Sequence, residues 1–403
     1  MTTFRIFSLF FSVFFTALHT LLLFGFILEW LRDVRMFSEK AFQLNSSPGQ
    51  KQNMRVSLII PIHNESRRME GLLQSLLAQD CWDQSFPVEI IFVDDCSSDE
   101  SPAMLAGFVQ DSARRGMDNC RVITLTENPG PNRKQHALSA GIADACGDYL
   151  LFTDGDCEVP PGWIRSMTGR MADETVGAVI GPVFKKKTGK GFFSLYQCFD
   201  HLMRYYYLAG SIGLGAAGGS FGNNLIVSRA ALEAVGGYDA VPPSPTEDAA
   251  LISAIRSLRR TEGSRYRIRA AIQSSAAVET AAETSWRGLV SQTLRWNNGG
   301  LFSPEPVTRF NYNLLMLIIS AGILAIPLLP FFPFLWPMPA AVLISMIENT
   351  IASFAPFRKK LPPGGPLKAG YVLTLLFTPC YFTLMTIMGY CRIKVKWKGK
   401  NVD

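Results

Sequence analysis

The sequence predicts an α/β domain with a mostly parallel central sheet, carried between transmembrane helices. Three observations predict it. Of 403 residues, 48% are hydrophobic and only 18% are charged, below the roughly 25% charge of soluble domains. Apolar segments long enough to cross a bilayer stand towards both ends of the chain. Between them, short β-rich runs alternate with helical stretches. The same composition excludes disorder and collagen-like repeats, and the length allows two or three domains. The net charge of +6 sits largely beside apolar segments, so membrane headgroups are its partner and no nucleic acid is expected. Eight cysteines without a CxxC pair, and four histidines, argue against a zinc site and fit a reduced, cytoplasmic setting.

Each element follows in order. Residues 4–30 are almost wholly apolar and run straight into Leu31-Arg32-Asp33-Val34-Arg35. A signal peptide would have a shorter apolar region and a cleavage site, so residues 1–35 read as an uncleaved anchor. Basic residues after it (Arg32, Arg35, Lys40) outnumber Arg5 before it, which puts the next domain in the cytoplasm. A polar linker over 36–54 leads into a domain over 55–305. Its runs at 56–60, 88–93, 121–125 and 149–153 read as buried strands, and Met69, Leu72, Leu73, Leu76 and Leu77 recur at helical spacing. Residues 310–356 form two apolar limbs about a Pro-rich bend, a transmembrane hairpin flanked by Arg309 and Arg358-Lys359-Lys360. A basic, Pro-Gly loop over 357–368 precedes an apolar helix over 369–391, transmembrane or interfacial, and a basic tail over 392–403. That tail belongs inside by its charge. It can be there only if the last helix re-enters or lies in the interface, or if one hairpin limb does not span.

Ligands of such sheets bind beyond the carboxyl ends of the strands, and acidic residues gather there. Glu65 follows the first strand, Asp94-Asp95 the second, and Asp154-Gly155-Asp156 the fourth. A lone D-x-D arises about once by chance in a chain this long. Its place after an apolar strand, beside two other acidic strand ends, suits a hard cation shared with ligand phosphates. No Gly-x-x-x-x-Gly-Lys-Ser/Thr loop is present, and Gly213-Leu214-Gly215-Ala216-Ala217-Gly218 lacks the strand and acidic partner of a dinucleotide site. Thr246-Glu247-Asp248 opens a helix, where a carboxylate can cap or serve as a general base. Gln292, Arg295 and Trp296 share one helical face. Arg suits a diphosphate and Trp a sugar ring, although an amphipathic helix on a membrane surface carries the same residues. Lys185-Lys186-Lys187 and Lys190, followed by Phe192, Phe193, Tyr196 and Tyr205-Tyr206-Tyr207, read either as a headgroup-facing entry for a lipid or as a basic loop before a core helix. Asn223-Asn224 are candidates for an acceptor pocket.

Taken together, residues 56–65, Val93-Asp94-Asp95-Cys96-Ser97-Ser98-Asp99, Asn132-Arg133-Lys134-Gln135-His136-Ala137-Leu138, Asp154-Gly155-Asp156, Thr246-Glu247-Asp248 and Gln292-x-x-Arg295-Trp296 resemble glycosyltransferase family 2. The resemblance covers roughly 55–300, and Trp397-Lys398-Gly399-Lys400 is similar to the tails of membrane-bound members. Two positions depart from the family's usual glycines, Arg133 before the lysine and Cys96 after the paired aspartates. The resemblance implies a GT-A fold, a nucleotide-sugar donor (most often a UDP-sugar), Mg²⁺ or Mn²⁺, and inversion at the anomeric carbon. It implies that Glu65, Asp94, Asp95, Lys134, Asp154, Gln292 and Arg295 bind the donor and Asp156 the metal. Asp248 would be the base, and Glu247 and Trp296 would meet the acceptor.

The expected protein is a multi-pass enzyme of the inner (plasma) membrane that adds one sugar to a hydroxyl of a lipid entering from the bilayer. Its rivals are a processive polysaccharide synthase, for which three or four segments are few, and a non-catalytic nucleotide-sugar-binding membrane protein, which has no use for a base. A transporter is disfavoured, because no cluster of buried ionisable residues is evident in the apolar segments.

Overall fold

The computed structural model describes residues 2–37, 54–82, 87–129, 132–186, 189, 191–244, 246–261, 266–358, 369–393, 395–397 and 400–402. Most of the expected linker and of the Pro-Gly loop, Lys187 and Lys190, and part of the tail lie outside the described residues.

Helix α1 (Thr2–Phe37) precedes the strands β1 (Val56–Ile62), β2 (Val88–Asp95), β3 (Cys120–Leu125) and β4 (Tyr149–Phe152). Between β1 and β4 run α2 (Glu70–Leu77), α3 (Ser101–Arg114) and α4 (Arg133–Asp144). Then come β5 (Cys157–Glu158), α5 (Trp163–Gly169), β6 (Val176–Ile180), β7 (Val183–Lys185) and the long α6 (Phe192–Gly213). The domain finishes with β8 (Leu225–Ser228), α7 (Arg229–Ala234), α8 (Glu247–Thr261), β9 (Arg267–Ala270), β10 (Val278–Thr280) and α9 (Trp286–Leu301).

Seven strands form one sheet in the order β3-β2-β1-β4-β8-β6-β9. All its pairings are parallel except those of β8, which runs against β4 and β6. The reversal has a use: β8 begins at the edge where its neighbours end, so Gly222 and Asn223 join the acidic strand ends. The strand runs bury both faces by simple alternation. Leu58, Ile60 and Ile62 of β1 enter one apolar core with α2 and α3, whereas Ile59 enters the other. That second core is continuous with Phe26 of α1 and with the carboxy-terminal helices. A small sheet, β5-β10-β7, lies beside the first; the sequence reading did not anticipate it, because its strands have only two or three residues.

The carboxy-terminal helices are α10 (Pro306–Leu324), α11 (Pro337–Phe357) and α12 (Ala369–Tyr390), before a hairpin of β11 (Val395–Trp397) and β12 (Lys400–Val402). Among the described residues, four segments are long and apolar enough to cross a membrane: Thr3–Met36, Pro306–Leu328, Pro333–Phe357 and Gly370–Tyr390. The last differs from the others in its neighbours. Along α9, Phe377 meets Trp286 with ring centroids 5.7 Å apart, Tyr381 bonds Thr293 at 3.1 Å, and the Met385 carbonyl accepts from Asn297 at 3.0 Å. Its first turn packs Tyr371 on Phe354 near the end of α11, and Tyr390 bonds Asn313 near the start of α10.

Helix α1 is part of the domain as well as an apolar segment. It crosses α6 backbone to backbone, and a Cβ on Gly25 would stand 2.2 Å from the Gly210 carbonyl oxygen, the close approach that small residues permit. Its last turns carry Glu29 and Asp33, both buried. Glu29 accepts from the Ala270 N–H at 3.1 Å and meets Arg269 at 3.3 Å. Asp33 accepts from the Ile272 N–H at 2.7 Å and forks with fully buried Arg170 at 2.6 and 2.9 Å. These carboxylates cover the edge strand β9. Each of these carboxylates, at the domain end of α1, is matched to an arginine of the domain.

The tyrosine triplet also turns inward. Tyr205 donates to the Ile180 carbonyl at 3.1 Å, Tyr206 packs on Phe26 at 5.1 Å, and Tyr207 bonds His19 at 2.9 Å. It joins α1 to the sheet and does not face headgroups.

Candidate active site

The loops after β1 and β2 are laced together. Cys96 adopts φ 54° and Asn64 φ 55°, left-handed conformations that cost a non-glycine residue about 1 kcal/mol or more. Cys96 therefore keeps the backbone that a glycine would adopt freely. Arg133, the other departure, has a partner: its guanidinium reaches Asp95 Oδ2 at 2.9 Å and the Asp95 carbonyl at 3.0 Å. Asn128 donates to Asp95 Oδ1 at 2.6 Å, and His63 Nδ1 bonds the same carbonyl at 2.7 Å. Asp95 thus braces the mouth of the sheet. Asp94, also buried, accepts from the Ser97 N–H at 3.2 Å.

Asp154 and Asp156 flank Gly155, where a Cβ would lie 2.7 Å from Ile62 Cδ1 and 3.1 Å from Glu65 Cγ. Glycine there lets Glu65 lie against the turn, so three carboxylates from two strand ends share one place. Lys134, in the first turn of α4, sits 2.6 Å from Asp154 and 3.7 Å from Glu247. Burial alone would lower the Lys134 ammonium, but Asp154 and Glu247 outweigh it and hold it above its ordinary value. Asp156 accepts from Thr280 at 3.3 Å and lies 4.0 Å from Arg68. Burial first, then Asp154 and Glu65, raise its carboxyl above the usual range against Lys185 and Arg68. Such excess negative charge fits a cation. Among the described residues no three His, Cys, Asp or Glu form a ligand cage, so a cation here would need oxygens from a ligand as well.

Asp248 stands in the first turn of α8, half-buried. A capping carboxylate at a helix start is normally stabilised as the anion, yet burial, followed by Glu247, pushes Asp248 up to about 6. Lys134 and the N–H groups of Ala249 and Gly222 oppose the rise without cancelling it. Gly222 allows the approach, since a Cβ there would be 3.0 Å from Asp248 Cβ. Its role was not legible in the sequence, which marked only its neighbours Asn223 and Asn224. Of those two, Asn224 is scaffold: it donates to the Pro182 and Ala276 carbonyls at 2.8 and 2.7 Å and accepts from Trp163 at 2.9 Å.

Helix α9 starts at Ser285, whose hydroxyl accepts from the Gly288 N–H at 3.1 Å. Gly299 seats it on the Thr246 loop, where a Cβ would be 2.5 Å from Thr246 Oγ1. The helix has two distinct faces. Thr293 and Asn297 meet the apolar α12, while Arg295 turns to the acidic groups. Burial lowers the Arg295 guanidinium, and Glu247, Asp248 and Asp154 pull it back up. Two motifs distant in sequence therefore act on one arginine. Gln292 Oε1 has no hydrogen-bond partner among the described residues. Trp296 lies between Arg204, 5.3 Å from its ring centroid, and Lys185 at 6.0 Å. Lys185 is buried and donates to the Ala281 carbonyl at 3.0 Å, so it does not belong to a headgroup-facing loop.

Comparison with known proteins bears on the family and the fold. The family model for glycosyl transferase family 2 matches residues 57–236, and that for glycosyl transferase family group 2 matches 149–388. The chain is 31% identical over 138 residues to an undecaprenyl-phosphate 4-deoxy-4-formamido-L-arabinose transferase of Enterobacter sp. (strain 638), covering 34% of this chain and 39% of that protein. It is 30% identical over 131 residues to a dolichyl-phosphate beta-glucosyltransferase of Homo sapiens, covering 29% and 38%. The matches thus span well under half of either relative. Among solved structures, a mannosyltransferase from Pyrobaculum calidifontis in complex with GDP-Man and Mn²⁺ shares the fold, with TM-score 0.54 and 17% identity over 94% of this chain and 98% of that one.

Proposed function

The chain belongs to glycosyl transferase family 2 and is a glycosyltransferase with an α/β GT-A fold, and from that premise we propose that it moves one sugar from a UDP-sugar to a hydroxyl of a membrane lipid, with inversion. The observation that carries this reading is the gathering of carboxylates from two strand ends and one helix start about Lys134, 2.6 Å from Asp154 and 3.7 Å from Glu247, with Asp248 next in the chain and raised by burial and by Glu247. A base must be ionised at working pH and still hold a proton usefully. In this reading the acceptor O–H proton passes to Asp248 as the acceptor oxygen attacks the anomeric carbon and the bond to the diphosphate breaks. Arg295 and Gln292 hold the departing diphosphate, and Lys134 orients Asp154 towards the donor. Glu65, Asp94 and Asp95 frame the nucleoside side, Asp95 through the loop it braces. Asp156 would hold Mg²⁺ or Mn²⁺ with donor phosphates, and the ion would neutralise charge on the leaving group.

Glu247 and Trp296 are assigned to the acceptor. A lipid acceptor is supported by α12, an apolar helix lying along α9, and by the names of the two relatives. In the membrane, α1, α10 and α11 are proposed to cross. Helix α12 is proposed to lie in the interface, because its two ends touch the domain-side ends of the hairpin. That arrangement keeps the basic tail and the catalytic domain, residues 55–305, on the cytoplasmic side of the inner membrane.

The test is product identification. Purified protein is incubated with membrane lipids, Mg²⁺ or Mn²⁺ and labelled nucleotide sugars, and the organic phase is read by mass spectrometry. A lipid heavier by one sugar is the expected product. A ladder or insoluble polymer would overturn single transfer in favour of a synthase, and intact donors throughout would overturn the enzymatic reading.

A further inference from the structure

Around Trp296 stands a group of buried or half-buried side chains that the proposed reaction does not use. Lys185 at the end of β7 and Arg204 of α6 approach the indole ring at 6.0 and 5.3 Å, and His201 of α6 meets it edge-on at 5.6 Å. Lys185 and His201 are 5% and 3% exposed, so water does little to satisfy them. Their bonding is incomplete. The Lys185 ammonium, with three protons to donate, has the Ala281 carbonyl at 3.0 Å. Arg204 pairs with buried Asp200 at 2.7 Å, yet its Nη2 has no hydrogen-bond partner among the described residues. His201 bonds the Val183 carbonyl through Nδ1 at 3.2 Å, and its Nε2 has no partner there either.

The chemistry of the three groups is specific. Burial, then Lys185 and Arg204, push the His201 imidazole well down, so the ring is neutral. With its proton on Nδ1 facing a carbonyl, Nε2 is a bare acceptor. The cluster therefore offers two cations and one neutral acceptor, beside buried Asp200, whose Oδ2 pairs with Arg204 and whose Oδ1 has no partner among the described residues. Asp200 balances one cation; Asp156 and Glu283 act on Lys185 from the donor side, and Asp156 is the carboxylate assigned to the metal. The fourth wall is apolar: Phe382 of α12 lies 5.0 Å from the Arg204 guanidinium carbon. From there Tyr381, Phe377 and Trp286 continue an aromatic surface along α12 and α9.

We propose that Lys185, Arg204 and His201, grouped round Trp296, form the seat for the acceptor's headgroup, which bears a phosphate beside a free hydroxyl. The phosphate oxygens take Lys185 Nζ and Arg204 Nη2 as charge-assisted donors, and the hydroxyl donates to His201 Nε2. The acyl or prenyl part leaves along the aromatic surface of α12. The inference rests on the lipid-acceptor reading above and narrows it from lipids in general to hydroxyl-bearing phospholipids.

The test measures binding apart from transfer. The full-length protein is mixed with phosphatidylcholine vesicles carrying photoactivatable phosphatidylglycerol, or photoactivatable diacylglycerol, which has the hydroxyl without the phosphate. Crosslinked peptides from α6 and α9 are quantified with and without excess soluble glycerol phosphate. Phosphatidylglycerol should label at least about tenfold more than diacylglycerol, one charge-assisted bond being worth that much or more. Lys185→Met should remove the preference and Lys185→Arg keep it. The double change Asp200→Asn, Arg204→Gln removes a pair without stranding a buried charge and should also remove it. Equal labelling by the two lipids, or a preference unchanged in both disruptive variants, would overturn the seat. Excess glycerol phosphate, which carries the same phosphate and hydroxyl, should lower phosphatidylglycerol labelling, and labelling that it leaves untouched would overturn recognition through the headgroup. Sugar transfer is followed in the same vesicles: phosphate-selective labelling without transfer supports the seat and defeats the lipid-transfer reading, and transfer without selectivity does the reverse.

Discussion

The end of α1 and the mouth of the sheet both bury charge, and they do it differently. At the end of α1, Asp33 has an arginine fork and a backbone N–H, and Glu29 has an arginine and a backbone N–H. At the mouth, Asp248 is half-buried beside another carboxylate, Asp156 is crowded by Asp154 and Glu65, and Lys185 has one carbonyl. Desolvation opposes buried charge in both places. Where it is offset within the protein, the charges serve attachment. Where it is not, the proposed reaction supplies the missing partners: a substrate's diphosphate, a cation or a headgroup.

The largest effect should come from the mouth. Asp156→Ala removes the carboxylate assigned to the metal, and donor affinity measured with Mn²⁺ should fall about 100-fold towards its metal-free value. Unchanged Mn²⁺ dependence would move the metal elsewhere. At the α1 end the corresponding change strikes stability. Asp33→Ala strands Arg170 and should cost about 3–5 kcal/mol, read as a lower unfolding temperature in detergent, while Asp33→Ala with Arg170→Met should recover most of it. Next in size is pH. Asp248 must be ionised to accept a proton, so transfer should fall about tenfold per pH unit below about 6 and level off above it. An acid limb near 4 would mean that Asp248 is not raised in the working enzyme. The smallest effect belongs to an exposed pair, Arg114–Asp111 at 2.8 Å, where Arg114→Gln should change stability by less than about 0.5 kcal/mol.

Much of this was legible in the sequence, for a definite reason. Strands such as Val88–Asp95 bury both faces and so read as unbroken apolar runs, and a parallel sheet then dictates that Glu65, Asp94 and Asp154 emerge at one edge. The alternation of helix and strand gave the fold class, and the helical spacing of Gln292, Arg295 and Trp296 gave their common face. What stayed hidden depends on contacts between segments far apart in the chain. No local pattern says that Asp33 will meet Arg170, that Gly222 must make room for Asp248, or that Lys185 points inward while Lys186 next to it is exposed. The sequence left the lysine run open between a headgroup-facing entry and a basic loop before a core helix, because composition reports charge and not direction. Similarly, α12 has the length and hydropathy of a spanning helix, and its proposed place in the interface rests on contacts with α9, α10 and α11 that no local pattern shows.

The central claim is that the incomplete charges at the mouth are retained for chemistry at the expense of stability. Asp248→Asn tests it most directly, with transfer and thermal unfolding measured on one preparation at pH 7.5. A carboxyl raised to about 6 binds its proton more tightly in the folded state, so its contribution to stability is lost as pH rises through that value. A neutral isostere should therefore unfold at the same or a higher temperature, bind donor as before, and transfer at least about 100-fold more slowly. Transfer at the wild-type rate, or a loss of transfer accompanied by a fall in unfolding temperature, would contradict the account.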